Sequence, residues 1–409
     1  MGRNGVVNAM RGSTSDDGVS VRAFSDPEMF ATIGVDWNRI ILECGANPFM
    51  LTELLVEFIG LRVHEGWHPL LLVLSVDGVP VGVAPLMTRK RFGLRFTRFL
   101  LASWFSPDFA LEDRYRGQCV EQIVQFVFQK LRSDLLELTL PAESPNGGLL
   151  KAECEARMLR YEVQKRPPMG HRLVPIYSSW GVFLSAGGHD FRYNINRMKR
   201  NLSRAGTWRV HYVDDLGKEP DEVQRIYAVE KLSWKQEWRK QRGEKDEDLH
   251  AIIQGSIHAS ASEPSFKCSV CFLELNGQTI AYALIMEYGK LAYCAKTSFA
   301  EEYRRLSPGV FVVNESIHAL CDQGQVREMD FLTDLPFHKR WPCTIAMRVR
   351  VVVSRSSLYR VYMVFNWILL ATAYAYRAFV NMLLFYVDML KSTMLRLVVR
   401  HRSGIQRLE

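Results

Sequence analysis

Residues 70–84, LLLVLSVDGVPVGVA, alternate apolar residues around Asp77-Gly78. Residues 270–284, VCFLELNGQTIAYAL, do the same around Asn276-Gly277. Asp-Gly and Asn-Gly supply the two positive-φ residues of a type I′ turn, so each run predicts a β-hairpin. A strand-like run follows each hairpin, near 94–102 and in LAYCAKTSF. The period then lengthens to that of a helix. QCVEQIVQFVFQKLR repeats apolar residues at Val120, Ile123, Val124 and Val127, and VFVVNESIHALCDQG predicts a second helix. Gly324 stands where a glycine closes a helix. Short strands, LLELTLP and REMDFL, end the two units.

The two units share order and lengths at an offset of about 195 residues, which reads as duplication of one α/β unit. A helical stretch precedes each hairpin, PFMLTELLVEFIGLRVHEG in the first and DEVQRIYAVEKLSWKQEW in the second. This order predicts an α/β fold, a mixed sheet with helices on its faces. The Pro- and Gly-rich stretch 141–180 reads as the linker between the halves. The expected organisation is a disordered tail over 1–22, a first half over 23–165, a second half over 166–345 and a basic, apolar helical tail over 346–409.

Composition is that of an ordinary globular chain, with 48% hydrophobic and 23% charged residues. The net charge of +8 suits an anionic partner or simple solubility. Eight cysteines are spread too thinly for a disulfide framework, and Cys268 and Cys271 lack a second pair for zinc. Their run, KCSVCFLEL, reads as a strand that sends the two thiols to opposite faces. No metal site is expected. The opening MGRNGVVNAMRGSTSDDG lacks an apolar core, so a cytoplasmic location is expected.

Arg304-Arg305-Leu306-Ser307-Pro308-Gly309 follows a strand and opens a helix. The free N–H groups and macrodipole of a helix N-terminus attract anions. Pro308 suits the first helical position, Gly309 permits close approach of a pyrophosphate, and Ser307 can cap the helix or donate to phosphate. An ordinary capped helix with surface arginines fits the same six residues.

The segment resembles the acetyl-CoA-binding signature of GNAT acetyltransferases, in a variant carrying Ser307-Pro308-Gly309. The wider pattern resembles the CelD/cellulose-biosynthesis acetyltransferase-like family, related to the FemABX peptidyltransferases. The likeness rests on Phe191 to Leu202, Glu230 to Trp234, Ser307 to Gly309, Asp330-Phe331-Leu332, Lys339-Arg340-Trp341, the Asp77-Gly78 hairpin and Ala84-Pro85-Leu86. It spans roughly 30–345. Ser307, Asp334 and His338 depart from the family's pattern, standing where it has Gly, Gly and Tyr.

The resemblance implies tandem GNAT-like halves and direct transfer of an acyl group from acyl-CoA, with acetyl-CoA the first donor. The implied acceptor is an amine or hydroxyl of a sugar or polysaccharide precursor at the inner membrane face. The alternatives are a FemABX-like transferase fed by aminoacyl-tRNA and a non-catalytic GNAT-like module. Arg304 to Gly309 would hold the donor. Asp330, Glu230 and Lys339 are the catalytic candidates, with Asp330 equally able to salt-bridge Lys339 or Arg340. Glu230 reads as a surface helical residue as readily as a base. Trp234, Trp341, Arg197 and Arg200 are candidates for substrate contact. No histidine pairs with a nucleophile in the sequence.

Arg197, Arg200 and Arg204 share one helical face, a cationic stripe able to grip phosphates or simply to face water. Beyond 356, apolar runs carry a narrow polar stripe at Asn366, Arg377, Asn381, Asp388 and Ser392. Arg377 interrupts any spanning segment. Such a helix over 356–400 fits a membrane interface, the enzyme's own surface or a second subunit.

Overall fold

The computed structural model describes residues 18–91, 93–235, 247–355 and residue 372. Both hairpins form where their turns predict them. β2 (His68–Val76) and β3 (Val79–Arg91) turn over Asp77 and Gly78, with φ of 51° and 81°. β9 (Phe266–Leu275) and β10 (Gln278–Tyr288) turn over Asn276 and Gly277, with φ of 52° and 82°.

The duplication is visible in the topology. In the first half β4 (Leu94–Phe99) is followed by α3 (Arg116–Gln125) and β6 (Leu135–Pro141). In the second half β11 (Leu291–Phe299) is followed by α9 (Pro308–Gln323) and β12 (Glu328–Asp330). Each helix is a crossover, so the strand after it runs parallel to the strand before it. Phe96–Arg98 pair with Leu135–Glu137, and Leu291–Tyr293 pair with Glu328–Asp330. Gly324 closes α9 with φ of 66°.

Three expectations are corrected. The 1–22 tail is too long, because β1 (Ser20–Phe24) pairs with β2. The stretch read as a linker holds α4 (Pro145–Ala156) and the 16-residue strand β7 (Arg160–Pro175). The helical tail does not begin at 346, because Thr344–Ser354 form β13. β13 lies between β6 and β7, and β7 also pairs with β12. These strands join both halves into one sheet in the order β1-β2-β3-β4-β6-β13-β7-β12-β11-β10-β9-β8, where β8 is Trp208–Val213. The short β5 (Ala110–Leu111) pairs with β3. The β-branched residues Val349, Val351, Val352 and Val353 make that segment strand-like; the arginines around it read as a helix flank in the sequence. The apolar stripe expected at 356–400 lies outside the described residues, apart from residue 372.

Side chains of β10 alternate between two cores, as the period of a strand requires. Tyr282, Leu284 and Met286 pack with Trp37 of α1 (Gly34–Glu43), Phe58 of α2 (Thr52–His64) and Ile226 of α7 (Val223–Lys231). α8 (Glu247–Ser262) closes this side. Ala281, Ala283 and Ile285 pack with Phe311 and Ile317 of α9, Phe183 of α5 (Trp180–Ala186) and Phe191 of α6 (Gly188–Ala205). Cys268 belongs to the first core and Cys271 to the second, so the thiols do face opposite sides. A third core fills the first half around Val120, Ile123 and Val124 of α3.

Candidate active site

β11 and β12 stay paired for three residues and then part. The pairing ends at Tyr293 and Asp330, while β11 continues beside β10 to Phe299. Beyond Tyr293 the β12-facing edge of β11 has no strand partner among the described residues. The parted strands form two walls: β11 leads on to α9, and β12 ends at Asp330.

The turn into α9 has the predicted order with a changed local logic. Pro308 takes the first helical position. Ser307 sits in the left-handed region at φ 56°, and its hydroxyl makes no capping bond. The hydroxyl is thereby left available to a ligand beside the first amides of the helix. A Cβ on Gly309 would lie 3.0 Å from Cδ1 of Phe299. A larger residue here would crowd the Phe299 ring, where the helix start packs on the end of β11. Arg304 pairs with Glu301 at 3.0 Å, whereas Arg305 is exposed without an ion pair among the described residues. Leu306 packs against the core under α9. α6 runs beside this turn and exposes Arg197, Arg200 and Arg204. Arg200 lies over the Tyr193 ring at 5.8 Å.

On the opposite wall, Asp330 does not reach Lys339 or Arg340, which are both exposed. Its Oδ2 accepts from His171 Nδ1 at 2.7 Å, and its Oδ1 accepts from the Leu332 amide at 2.6 Å. Both side chains of the pair are buried. With Nδ1–H given to the carboxylate, the imidazole keeps its lone pair on Nε2. Asp330 stands in register with Tyr293 and with Leu173, two residues beyond His171 on β7. Registered residues share a face, so all four point toward the first half. Burial, and then the nearby Asp330 carboxylate, push the Tyr293 hydroxyl above its usual range.

Arg348 of β13 joins this face. It is buried and donates to the carbonyls of Leu332 and Trp104, each at 3.0 Å, and to Ser106 Oγ. Leu332 is thus held from both sides, by Asp330 through its N–H and by Arg348 through its C=O, in a left-handed conformation at φ 60°. Burial lowers the Arg348 guanidinium to about 10.

The remaining sequence candidates scatter. Glu230 is no surface residue: it is buried on α7 and accepts from the Tyr282 hydroxyl at 2.7 Å. Lys235, just past that helix, donates to the Thr297 carbonyl on the parted section of β11 at 2.6 Å. Trp234 is 46% exposed, while Trp341 is 3% exposed and donates to Asn314 Oδ1 of α9 at 2.8 Å. That burial makes Trp341 a core wedge between β12 and α9, without a free face for an acceptor. His338 stacks on Phe331 at 4.3 Å and donates from Nδ1 to the Thr333 carbonyl at 2.8 Å. Asp334 accepts from Arg172 at 2.5 Å.

His171 is the residue that sequence reasoning missed. Its segment, RPPMGHRLVP, carries turn residues that mask a strand, and its partner lies 159 residues away. The short alternation His171, Leu173, Pro175 is the signal that was present. Among the described residues no cluster of His, Cys, Asp and Glu could hold a metal ion, and no helix is long and apolar enough to cross a membrane.

Residues 189–340 match the family described as acetyltransferase (GNAT) domain. The matched segment contains nearly all of α6, the turn into α9 and Asp330. Among solved structures, FemX aligns with 72% of this chain and 90% of its own at 11% identity and a TM-score of 0.50. The C-terminal domain (DUF2156) of an Agrobacterium fabrum protein assigned as a lysylphosphatidylglycerol synthetase aligns with 82% of this chain and 95% of its own, at 12% identity and a TM-score of 0.50. At these identities the likeness is one of fold. No curated protein matches the chain in sequence.

Proposed function

We propose that the chain transfers an acyl group from acyl-CoA, acetyl-CoA first, to an amine or hydroxyl held against His171. The observation that carries this reading is the parting of β11 and β12. It sets an uncapped helix N-terminus beyond the end of β11 and a buried His–Asp pair at the end of β12. The donor pyrophosphate would sit on the first turn of α9, with Ser307 and Arg305 beside it. The thioester would then run along the free edge of β11.

The chemistry needs no covalent enzyme intermediate. The acceptor nitrogen or oxygen attacks the thioester carbon while its proton passes to Nε2 of His171, and Asp330 steadies the imidazolium. An N–H on the open edge of β11 meets the oxyanion. The C–S bond then breaks, and the leaving thiolate takes up a proton. Lys235 meets the far part of β11 at the Thr297 carbonyl, Glu230 is held behind it on the Tyr282 hydroxyl, and Lys339 is exposed as a cation for an acidic acceptor. Trp234, Arg197 and Arg200 are exposed and available to substrate. A sugar or polysaccharide precursor as acceptor rests on the resemblance to the CelD-like family.

A second reading draws the acyl group from aminoacyl-tRNA. The exposed arginines of α6 and the likeness to FemX favour it, since a row of guanidiniums suits a phosphate backbone. Calorimetric titration with acetyl-CoA separates the two. Saturable binding that weakens in Arg305→Glu supports the thioester donor. No binding to the wild type, together with acyl transfer from charged tRNA, would replace it with the second reading.

A further inference from the structure

The first half repeats the parting of strands. β4 and β6 pair only over Phe96–Arg98 and Leu135–Glu137, while on its other edge β6 stays paired with β13 from Leu135 to Pro141. Here a cavity of about 450 Å³ opens. It is lined by Arg62, Arg98, Arg348 and Arg350 against two carboxylates, Glu65 and Glu137. Those carboxylates are already shared. Glu65 lies 2.9 Å from Arg62 and 3.9 Å from Arg98, and Glu137 lies 2.5 Å from Arg350. Arg348 hydrogen-bonds only neutral oxygens, with the Asp330 carboxylate acting on it through space. Four guanidiniums against two lining carboxylates give the wall of the cavity an excess of positive charge.

Clustered cations that outnumber their counter-ions repel one another unless something else neutralises them. Two donors are also left over: the Nε atoms of Arg98 and Arg350 are buried without an acceptor. Arg98 is fixed by stacking over Trp67 at 4.0 Å, so its guanidinium keeps its place when the cavity is empty. Burial also pulls the Arg98 guanidinium below its usual range.

We infer that this cavity binds a phosphate monoester, whose charge near −2 and several acceptor oxygens suit a wall of four guanidiniums, and that this phosphate anchors the acceptor. A carboxylate would neutralise half as much. The register relates the anchor to the chemistry. Ala346 of β13 is opposite His171, and Arg348 is two residues further along the same face. Diagonal neighbours of this kind stand roughly 8 Å apart at Cα. An acceptor whose amine or hydroxyl lies about one sugar ring from its phosphate spans that gap. The reacting end at His171 rests on the function proposed above; the phosphate seat does not.

The test is calorimetric titration of the full chain with inorganic phosphate. Saturable binding is expected, weakened about tenfold in Arg350→Gln, which removes a charge-assisted donor. Glu137→Gln removes a competing carboxylate and is expected to tighten binding, so a variant that improves the property guards against misfolding as an explanation. Acetate, with one charge, should bind about tenfold more weakly than phosphate. Arg305→Glu at the donor turn should leave this phosphate binding in place while weakening acetyl-CoA. No saturation by phosphate, an affinity indifferent to both cavity variants, or equal affinity for acetate would overturn the inference. So would phosphate binding that follows Arg305→Glu instead. Loss of acetyl-CoA binding with the phosphate pattern intact would remove the proposed donor alone.

Discussion

His171 and Asp330 lie 159 residues apart in the chain and 2.7 Å apart in the structure. A buried carboxylate accepting from Nδ1 fixes the ring's orientation and tautomer and leaves Nε2 as the acceptor of a proton. His171→Ala is expected to lower kcat by about 10²–10⁴ with little change in acetyl-CoA affinity. Asp330→Asn keeps the shape and the bond from the Leu332 amide, and should lower kcat while shifting the pH–rate profile. Steady-state kinetics across pH checks both. An unchanged profile in Asp330→Asn would limit the carboxylate to holding Leu332.

Ser307 is a left-handed residue without a capping bond. Ser307→Gly relieves the Cβ strain and should stabilise the fold by about 1 kcal/mol. Ser307→Ala should be neutral, because no hydrogen bond is lost, whereas an N-cap that works through its side chain loses about 1 kcal/mol on the same change. Urea unfolding of the three proteins compares these outcomes directly.

Gly309 and Phe299 form a size-matched pair, with 3.0 Å between the Cβ position and the ring. Gly309→Ala is expected to destabilise the wild type. In a Phe299→Leu background the same change should become stabilising, because alanine is then free to act as the better helix former. The double-mutant cycle should show coupling of about 1 kcal/mol. Additive effects would mean that Phe299 simply moves aside.

His338 is held neutral by burial, which lowers its pKa from 6.5. The unfolded chain therefore takes up this proton at a higher pH than the folded one. Between the two values the unfolded state binds more protons, so stability rises with pH through that window. Its contribution is complete above about 6.5 and is lost as pH falls below it. Unfolding free energy measured at closely spaced pH values should show this slope, and His338→Phe should flatten it. The stacked Phe331 offers that ring a compatible neighbour.

The halves and their hairpins were legible because Asp77-Gly78 and Asn276-Gly277 encode a local conformation that needs no partner. The turn into α9 was legible for the same reason, since Pro308 and Gly309 act within one helical turn. Reading Ser307 as a cap failed because the type of a residue does not report its φ. Asp330 could be singled out as a carboxylate at the end of an apolar strand, but its partner could not. His171 meets Asp330 only through the pairing of β7 with β12, a relationship between strands that no single stretch of sequence encodes. Prolines in RPPMGHRLVP pointed to a linker, and tertiary pairing overrode that signal. Trp341 read as a substrate contact and Glu230 as a surface residue or a base, because burial on a helix or past a strand end depends on what packs there.

The place of β13 sets an order of assembly. Leu135–Pro141 of the first half pair with Arg348–Ser354, so the first half's sheet stays incomplete until the second half has been made. Roughly 200 residues separate these partners, which at about 5–20 residues per second of synthesis is a wait of about 10–40 s. Through that interval β6 has an open edge, the kind of surface that chaperones shield. The chain thus assembles from its middle and is fastened last by Thr344–Ser354. Stopping synthesis before Thr344 would leave both β6 and β7 without their shared neighbour, and neither half would be released as a finished domain.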